Sequence, residues 1–309
     1  MNSKNIKRHL KQKLRDWIAH IENDAVTKVI EENTIITGGA MVSLLTGETV
    51  HDYDVYFRTK EACIEVAKYY VDKWNDNHPD KPVTLMWGEE LEKQLGSDNG
   101  AVKCFVKSKG IADEDEQGGN SIAYNFNSTA NEDEEMGIIS DKPEPEDDGR
   151  EKYRPRFITS NAITLSDKIQ IVTRFYGEVA EIHTNYDFAH CTCAWSSWDN
   201  EVFLPQKALE CIINKELYYV GSKYPLCSII RTRKYIERGY HINAGQYVKM
   251  CMQLNELCLT DVKVLEEQLT GVDTTYFRVM VEELQKNQEE TGSDKVDTTY
   301  AMELINKLF

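Results

Sequence analysis

No apolar run in the chain reaches the roughly 20 residues that a membrane-spanning helix needs. The first 20 residues are dense in charge and lack the apolar stretch of a signal peptide, so the expectation is a cytoplasmic protein without a membrane partner. The eight cysteines among 309 residues are scattered at positions 63, 104, 191, 193, 211, 227, 251 and 258, and no two form a Cys-x-x-Cys pair. Such spacing excludes a disulfide scaffold and leaves the thiols reduced and mostly buried. His190 and Cys193 beside Cys191 lack a second ligand pair at zinc spacing, so small buried core residues describe them better. Positive charge is also in the minority, with 36 Lys and Arg against 52 Asp and Glu and a net charge of −16. Taken alone, that balance argues against a nucleic-acid partner. The acidity is local, however: residues 113–151 hold fourteen acidic and two basic side chains, so this segment carries −12 and the rest of the chain −4.

The length allows a sizeable core and two domains. Residues 4–32 have helical periodicity through Leu10, Leu14, Trp17, Ile18 and Ile21. Six basic residues, Lys4, Lys7, Arg8, Lys11, Lys13 and Arg15, crowd the start; a solvated helix face describes them better than a phosphate-contacting surface, the alternative that the same charges allow. A strand is expected from Thr34, then a short helix ending at Gly47, a strand at 52–57, a helix at 59–76, a strand at 83–87, a short helix at 89–95 and a strand at 101–108. Residues 111–152 are acidic and nearly aperiodic, which reads as a long insertion without regular structure. A flexible loop, a gate and a docking element for an unidentified partner all suit that composition. Order is expected to resume with strands at 157–165 and 168–175 around a Ser166-Asp167 turn, a helix at 178–186 and a buried strand at 188–195. From Pro205 onward the pattern is helical. Val272-Asp273-Thr274-Thr275-Tyr276 recurs as Val296-Asp297-Thr298-Thr299-Tyr300, with Asp or Thr placed in each copy to cap a helix.

The most informative stretch is Gly38-Gly39 followed by Asp52-Tyr53-Asp54. An apolar strand runs into a Gly-Gly turn, a short apolar helix follows, and the next strand carries two carboxylates at i and i+2. Alternation along a strand puts both carboxylates on one face, and that face looks back at the turn. Exposed backbone N–H groups there can meet phosphate oxygens. Two carboxylates on a partly buried strand repel one another unless a cation joins them, which points to a divalent metal and phosphoryl chemistry.

On these residues the chain resembles the nucleotidyltransferase fold of the DNA polymerase beta superfamily. Gly39-Ala40-Met41-Val42-Ser43-Leu44-Leu45-Thr46-Gly47 is similar to the Gly-x-Val-Arg-Asp-x-Leu-Leu-Gly segment of CCA-adding enzymes and bacterial poly(A) polymerases, without its Arg-Asp. Arg156-Phe157-Ile158-Thr159-Ser160-Asn161-Ala162 resembles their Arg-Asp-Phe-Thr-x-Asn-Ala motif, with Phe157 in place of the Asp. Residues 208–220 and 225–240 are similar to the neck that follows their catalytic head. Phage-encoded nucleotidyltransferase-like proteins share this general look.

The resemblance implies an α/β (α+β) head with a mixed sheet over 34–204, preceded by N-terminal helices at 1–33 and followed by a helical neck and body at 205–309. It implies Mg²⁺ or Mn²⁺ held by Asp52, Asp54 and a third carboxylate on a neighbouring strand. Asp187 is the best candidate for that third ligand and for the base acting on the attacking hydroxyl; Asp167 is the runner-up, and a turn role describes it better. Gly38 and Gly39 would cradle the β- and γ-phosphates of an NTP. Arg174, Lys223, Arg231 and Lys234 would contact the triphosphate or an RNA backbone, with Ser222, Arg233 and Arg238 in the same basic cluster. Tyr224, Tyr235 and Tyr240 are candidates to stack a base or to fill a core. The implied activity is transfer of a nucleoside monophosphate to an RNA 3′ end, tRNA-like or other. Transfer to a protein or small molecule, and a non-catalytic binding or regulatory protein on the same scaffold, remain the alternatives.

Overall fold

Strand β1 (Thr34–Thr37) and strand β2 (Tyr53–Phe57) pair antiparallel, and helix α3 (Gly39–Thr46) connects them. The architecture described here is that of a computed structural model, which describes residues 1–95, 102–105, 110–112, 151–269, 283–287, 289–292 and 297–308. Helices α1 (Ser3–Ile18) and α2 (Asp24–Asn33) precede β1. The sequence suggests one helix here; Asn23 divides it, since its side chain accepts hydrogen bonds from Ala25 N and Val26 N and so caps a new helix.

After β2 come helix α4 (Lys60–Asn77), strand β3 (Thr84–Trp87), helix α5 (Gly88–Leu95) and strands β4 (Val102–Phe105) and β5 (Gly110–Ala112). Strands β6 (Pro155–Thr159), β7 (Ala162–Leu165) and β8 (Ile169–Tyr176) follow. The single strand expected at 157–165 is therefore a hairpin: Thr159 Oγ1 accepts from the N–H groups of Asn161 and Ala162 and turns the chain. The next turn holds Asp167 and Lys168 at φ 59° and 65°, the left-handed pair that a tight hairpin needs. Asp167 is thus a turn residue, with Oδ2 accepting from Tyr153 N. Helix α6 (Val179–His183), strands β9 (Ala194–Ser196) and β10 (Val202–Phe203) and helix α7 (Gln206–Asn214) complete this stretch. The long strand expected at 188–195 is instead a 3-10 turn at Ala189–Cys191 and the three residues of β9. Ile111 and Ala112, assigned to the insertion by composition, pair with Ile158 and Phe157 in the sheet. The rest of the acidic segment, 113–150, lies outside the described residues.

Eight strands form one mixed sheet in the order β10-β9-β1-β2-β8-β7-β6-β5; β2 and β8 run parallel and every other pair is antiparallel. Its register sorts the two faces. One face carries Val55, Ile36, Ile171, Ile163 and Ile158, all at most 1% exposed, and packs on α4. Helix α1 meets α4 through Trp17 Nε1, which donates to Tyr70 OH at 2.6 Å. The other face carries a lateral row, Phe203, Ala194, Thr37, Asp54, Gln170, Thr164 and Phe157, each the direct partner of the next across successive strands.

The described residues divide into two compact units: residues up to 112, 151–184 and 191–209 form the first, and 185–190 with 210 onward form the second. The second is helical: after α7 come α8 (Pro225–Glu237), α9 (Ala244–Leu254), α10 (Val262–Leu269) and α11 (Thr298–Leu308). One of its cores gathers Phe188, Leu217, Tyr219, Tyr240 and Met250; another gathers Leu265, Leu284 and Leu304. Asp297 Oδ1 accepts from Thr299 N at 2.8 Å, the capping role expected of the second repeat copy; the first copy, 272–276, lies outside the described residues. All eight cysteines are free, six of them buried. Among the described residues no helix is long and apolar enough to cross a membrane.

Candidate active site

The turn after β1 explains the first glycine. Gly38 sits at φ 77°, ψ −139°, a conformation open only to glycine, and its carbonyl accepts the first helical bond of α3, from Val42 N at 3.4 Å. Gly39 is the first residue of that helix, and a Cβ there would meet open space. Gly47 ends the helix in the left-handed conformation, with its N–H donating to Ser43 O at 2.8 Å. Gly38→Ala is expected to cost about 1–3 kcal/mol through backbone strain, and Gly39→Ala to cost nothing or to add up to about 1 kcal/mol of stability, because Ala is the better helix former. Thermal unfolding of the two variants checks the contrast.

The carboxylates lie where the turn and β2 meet. Thr37 is the cross-strand partner of Asp54, so Gly38 leaves the sheet at the end where β2 enters. Asp54 is half-buried on the face opposite α4; Asp52, expected on the strand, lies one residue ahead of it and is exposed. Thr37 Oγ1 donates to Cys193 O at 2.8 Å and lies 2.8 Å from His183 Nε2, so the hydroxyl is engaged on both sides. Nothing in the local sequence marks His183; only the fold of α6 brings it to β1.

Among the described residues, β2 hydrogen-bonds to β1 and β8 and to no other strand, and neither neighbour contains an acidic residue. The expectation that the segment of Asp187 runs beside β2 is therefore corrected. Asp187 belongs to the second unit, where its Oδ2 accepts from Arg231 Nη1 at 2.7 Å and its side chain is 8% exposed. β8 brings Gln170 beside Asp54, with Arg174 further along the same strand face. Among the described residues no group of three or more His, Cys, Asp or Glu side chains is close enough to share a metal ion. The pair Asp52 and Asp54 suits Mg²⁺, which binds through one or two carboxylates and fills its remaining positions with phosphate and water.

In the second unit, Lys223, Arg231 and Lys234 do not act alike. Arg231 is committed to Asp187, Arg233 Nε donates to Glu237 Oε1 at 3.1 Å, Lys223 is exposed, and Lys234 is half-buried on α8. Tyr235 and Tyr240 pack on His190, with ring centroids 4.5 and 4.6 Å away, so they fill the core.

Two histidines, half-buried His183 in the first unit and buried His190 in the second, are held far below the ordinary imidazole range. Burial pushes His183 down to about 4, and burial pushes His190 down to about 4 as well, with Arg238 and Lys215 lowering it further and Asp187 opposing. The unfolded chain therefore binds protons that the folded chain refuses between pH 6.5 and about 4. Stability is full above pH 6.5 and falls as the pH drops through that window, by at most about 3 kcal/mol per histidine. His183 contributes less because it keeps solvent contact. Urea unfolding at pH 7.5 and pH 5 is expected to show this loss, and His190→Phe to reduce it.

No curated protein matches the sequence. Among solved structures, a tRNA-processing enzyme with CTP aligns at TM-score 0.39 and 12% identity, over 85% of this chain and 55% of that one. The Thermotoga maritima CCA-adding enzyme complexed with tRNA aligns at 0.36 and 12%, over 96% and 53%. The Bacillus stearothermophilus CCA-adding enzyme in complex with CTP aligns at 0.36 and 12%, over 83% and 50%. The chain thus spans about half the length of these structures. The sequence model of the Gabija anti-defense 2 family matches residues 8–215, more than half of the 309. The chain belongs to the Gabija anti-defense 2 family.

Proposed function

We propose that the protein is a Mg²⁺-dependent nucleotidyltransferase that moves a nucleoside monophosphate from an NTP to an acceptor hydroxyl. The observation that carries this reading is the register of Thr37 on Asp54, which sets the Gly38-Gly39 turn and the Asp52/Asp54 pair at one end of the sheet. Asp52 and Asp54 would hold Mg²⁺ or Mn²⁺, which when bound screens the charge of the triphosphate and of the pyrophosphate that leaves. The Gly38-Gly39 backbone receives phosphate oxygens at the start of α3, where the N–H groups have no helical partner. Gly39→Ala then has a defined effect: its methyl enters the open space beside the turn, and NTP affinity falls while folding stays intact. Arg174 neutralises triphosphate charge from the same strand face as Gln170. On this reading Asp187 orders the second unit through Arg231 and is not a metal ligand.

An RNA 3′ end is the first acceptor, because residues 208–240 resemble the neck of RNA-extending enzymes and carry the exposed cations Lys223 and Arg238. A protein acceptor is the second, favoured by the family's description as directed against the Gabija defence. Each α-labelled NTP, incubated with the protein, Mg²⁺ or Mn²⁺, and either total RNA or total protein from cells carrying that defence, tests both. Label in RNA supports the first acceptor and label in protein the second. Absence of label in both fractions, together with absence of NTP binding, overturns the enzyme reading.

A further inference from the structure

Asp54 has two lateral neighbours on its face of the sheet, Thr37 on β1 and Gln170 on β8. Adjacent strands lie about 4.8 Å apart, so both side chains border the space in front of the Asp54 carboxylate. Thr37 is used up: Cys193 O and His183 Nε2 occupy its hydroxyl. Gln170 is half-buried and its carboxamide makes no hydrogen bond among the described residues. A carboxamide offers two N–H donors and one carbonyl acceptor and carries no charge. Beside two carboxylates it is the one lateral group able to donate to an anion without competing for the cation.

Resting on the nucleotidyltransferase reading, we propose that Gln170 is a substrate-binding residue of this site, whose amide donates to a phosphate oxygen of the NTP and fixes the phosphate at the Asp52/Asp54 pair. The chemistry of its neighbours separates this role from the alternatives. A Glu at this place would add a third negative charge, tightening a divalent cation and repelling the triphosphate. Gln does the reverse: it leaves cation binding to Asp52 and Asp54 and contributes a donor to the anion. Thr164, the next residue in the row, continues the polar strip, and Phe157 closes it with an apolar ring.

The test measures two bindings separately, Mn²⁺ by its paramagnetic signal without nucleotide, and each of the four NTPs by calorimetry with Mg²⁺. A hydrogen bond to a charged group predicts that Gln170→Met, of similar shape but without donors, binds Mn²⁺ like the wild type and loses about 10- to 100-fold in NTP affinity. Gln170→Glu is expected to bind Mn²⁺ more tightly and NTP more weakly, and it carries the test should Gln170→Met melt early. NTP affinities within two-fold of wild type in both variants, with Mn²⁺ binding still lost in Asp54→Asn, overturn the role of Gln170 and leave the site reading standing. Retention of Mn²⁺ binding in Asp54→Asn overturns the site reading and this inference with it.

Discussion

Asp54→Asn, on the nucleotidyltransferase reading, is expected to lower nucleotidyl transfer by at least about 1,000-fold while changing folding stability by no more than about 1 kcal/mol. The activity loss follows from what a divalent ion supplies. Stabilising charge on the transferring phosphate is worth several kcal/mol, each 1.36 kcal/mol is tenfold in rate, and an amide does not replace the charge of a carboxylate. The small stability change follows from position: Asp54 is half-buried on the face away from α4, while Tyr53 and Val55, 5% and 0% exposed, point into the core from either side of it. Asp52→Asn shares the direction with a smaller effect, because Asp52 lies ahead of the strand, is exposed, and would hold an ion less rigidly. Transfer of label from α-labelled NTP, read beside urea unfolding, separates the two quantities. Loss of activity accompanied by equal loss of fold would remove the metal role. Unchanged transfer in both variants would place the activity away from the Asp52/Asp54 pair, and absence of transfer in the wild type would point to the non-catalytic scaffold reading.

The turn, helix and strand that carry Gly38, Gly39 and Asp54 were legible because their signal is local. Gly38 with positive φ, a helix terminated by Gly47 and a mostly buried strand interrupted by Asp54 occupy about twenty consecutive residues, and each leaves a residue-type signature. The neighbours of β2 were not legible. Strand β8 reaches β2 after more than a hundred residues, and the parallel pairing that puts Gln170 on Asp54 has no turn to announce it. His183 escaped notice for the same reason: a histidine on a five-residue helix acquires meaning only when Thr37 is found 2.8 Å away. Asp187 illustrates the opposite error. An acid before an apolar run suggests entry into a strand beside Asp52, whereas the run bends into a 3-10 turn, and the short strand that follows pairs with β1 and β10. Composition misled in the same way at the edge of the insertion, where Ile111 and Ala112 join Gly110 in a three-residue strand.

Arg231→Met is expected to destabilise the second unit by about 3 kcal/mol, more than Asp187→Asn, at about 1–2 kcal/mol. The two partners are unequally buried: the Asp187 side chain is 8% exposed and that of Arg231 37%. Removing the guanidinium strands a carboxylate that water barely reaches, and an uncompensated buried charge is the costly outcome. Removing the charge of Asp187 leaves Arg231 to turn toward solvent, and the Asn still accepts a hydrogen bond, so only part of the interaction is lost. Asp187 also anchors its segment through the backbone, its carbonyl accepting from Val220 N at 2.9 Å while Phe188 bridges to Tyr219; neither single substitution removes these bonds. The double variant Asp187→Asn/Arg231→Met should therefore be more stable than Arg231→Met alone, with a coupling of about 2–3 kcal/mol in the cycle, larger than the cost of Asp187→Asn by itself. Chemical unfolding of the four proteins gives the coupling. Mn²⁺ binding on the same samples decides the role of Asp187, because a structural partner of Arg231 leaves metal affinity unchanged when it becomes Asn, whereas a third metal ligand does not.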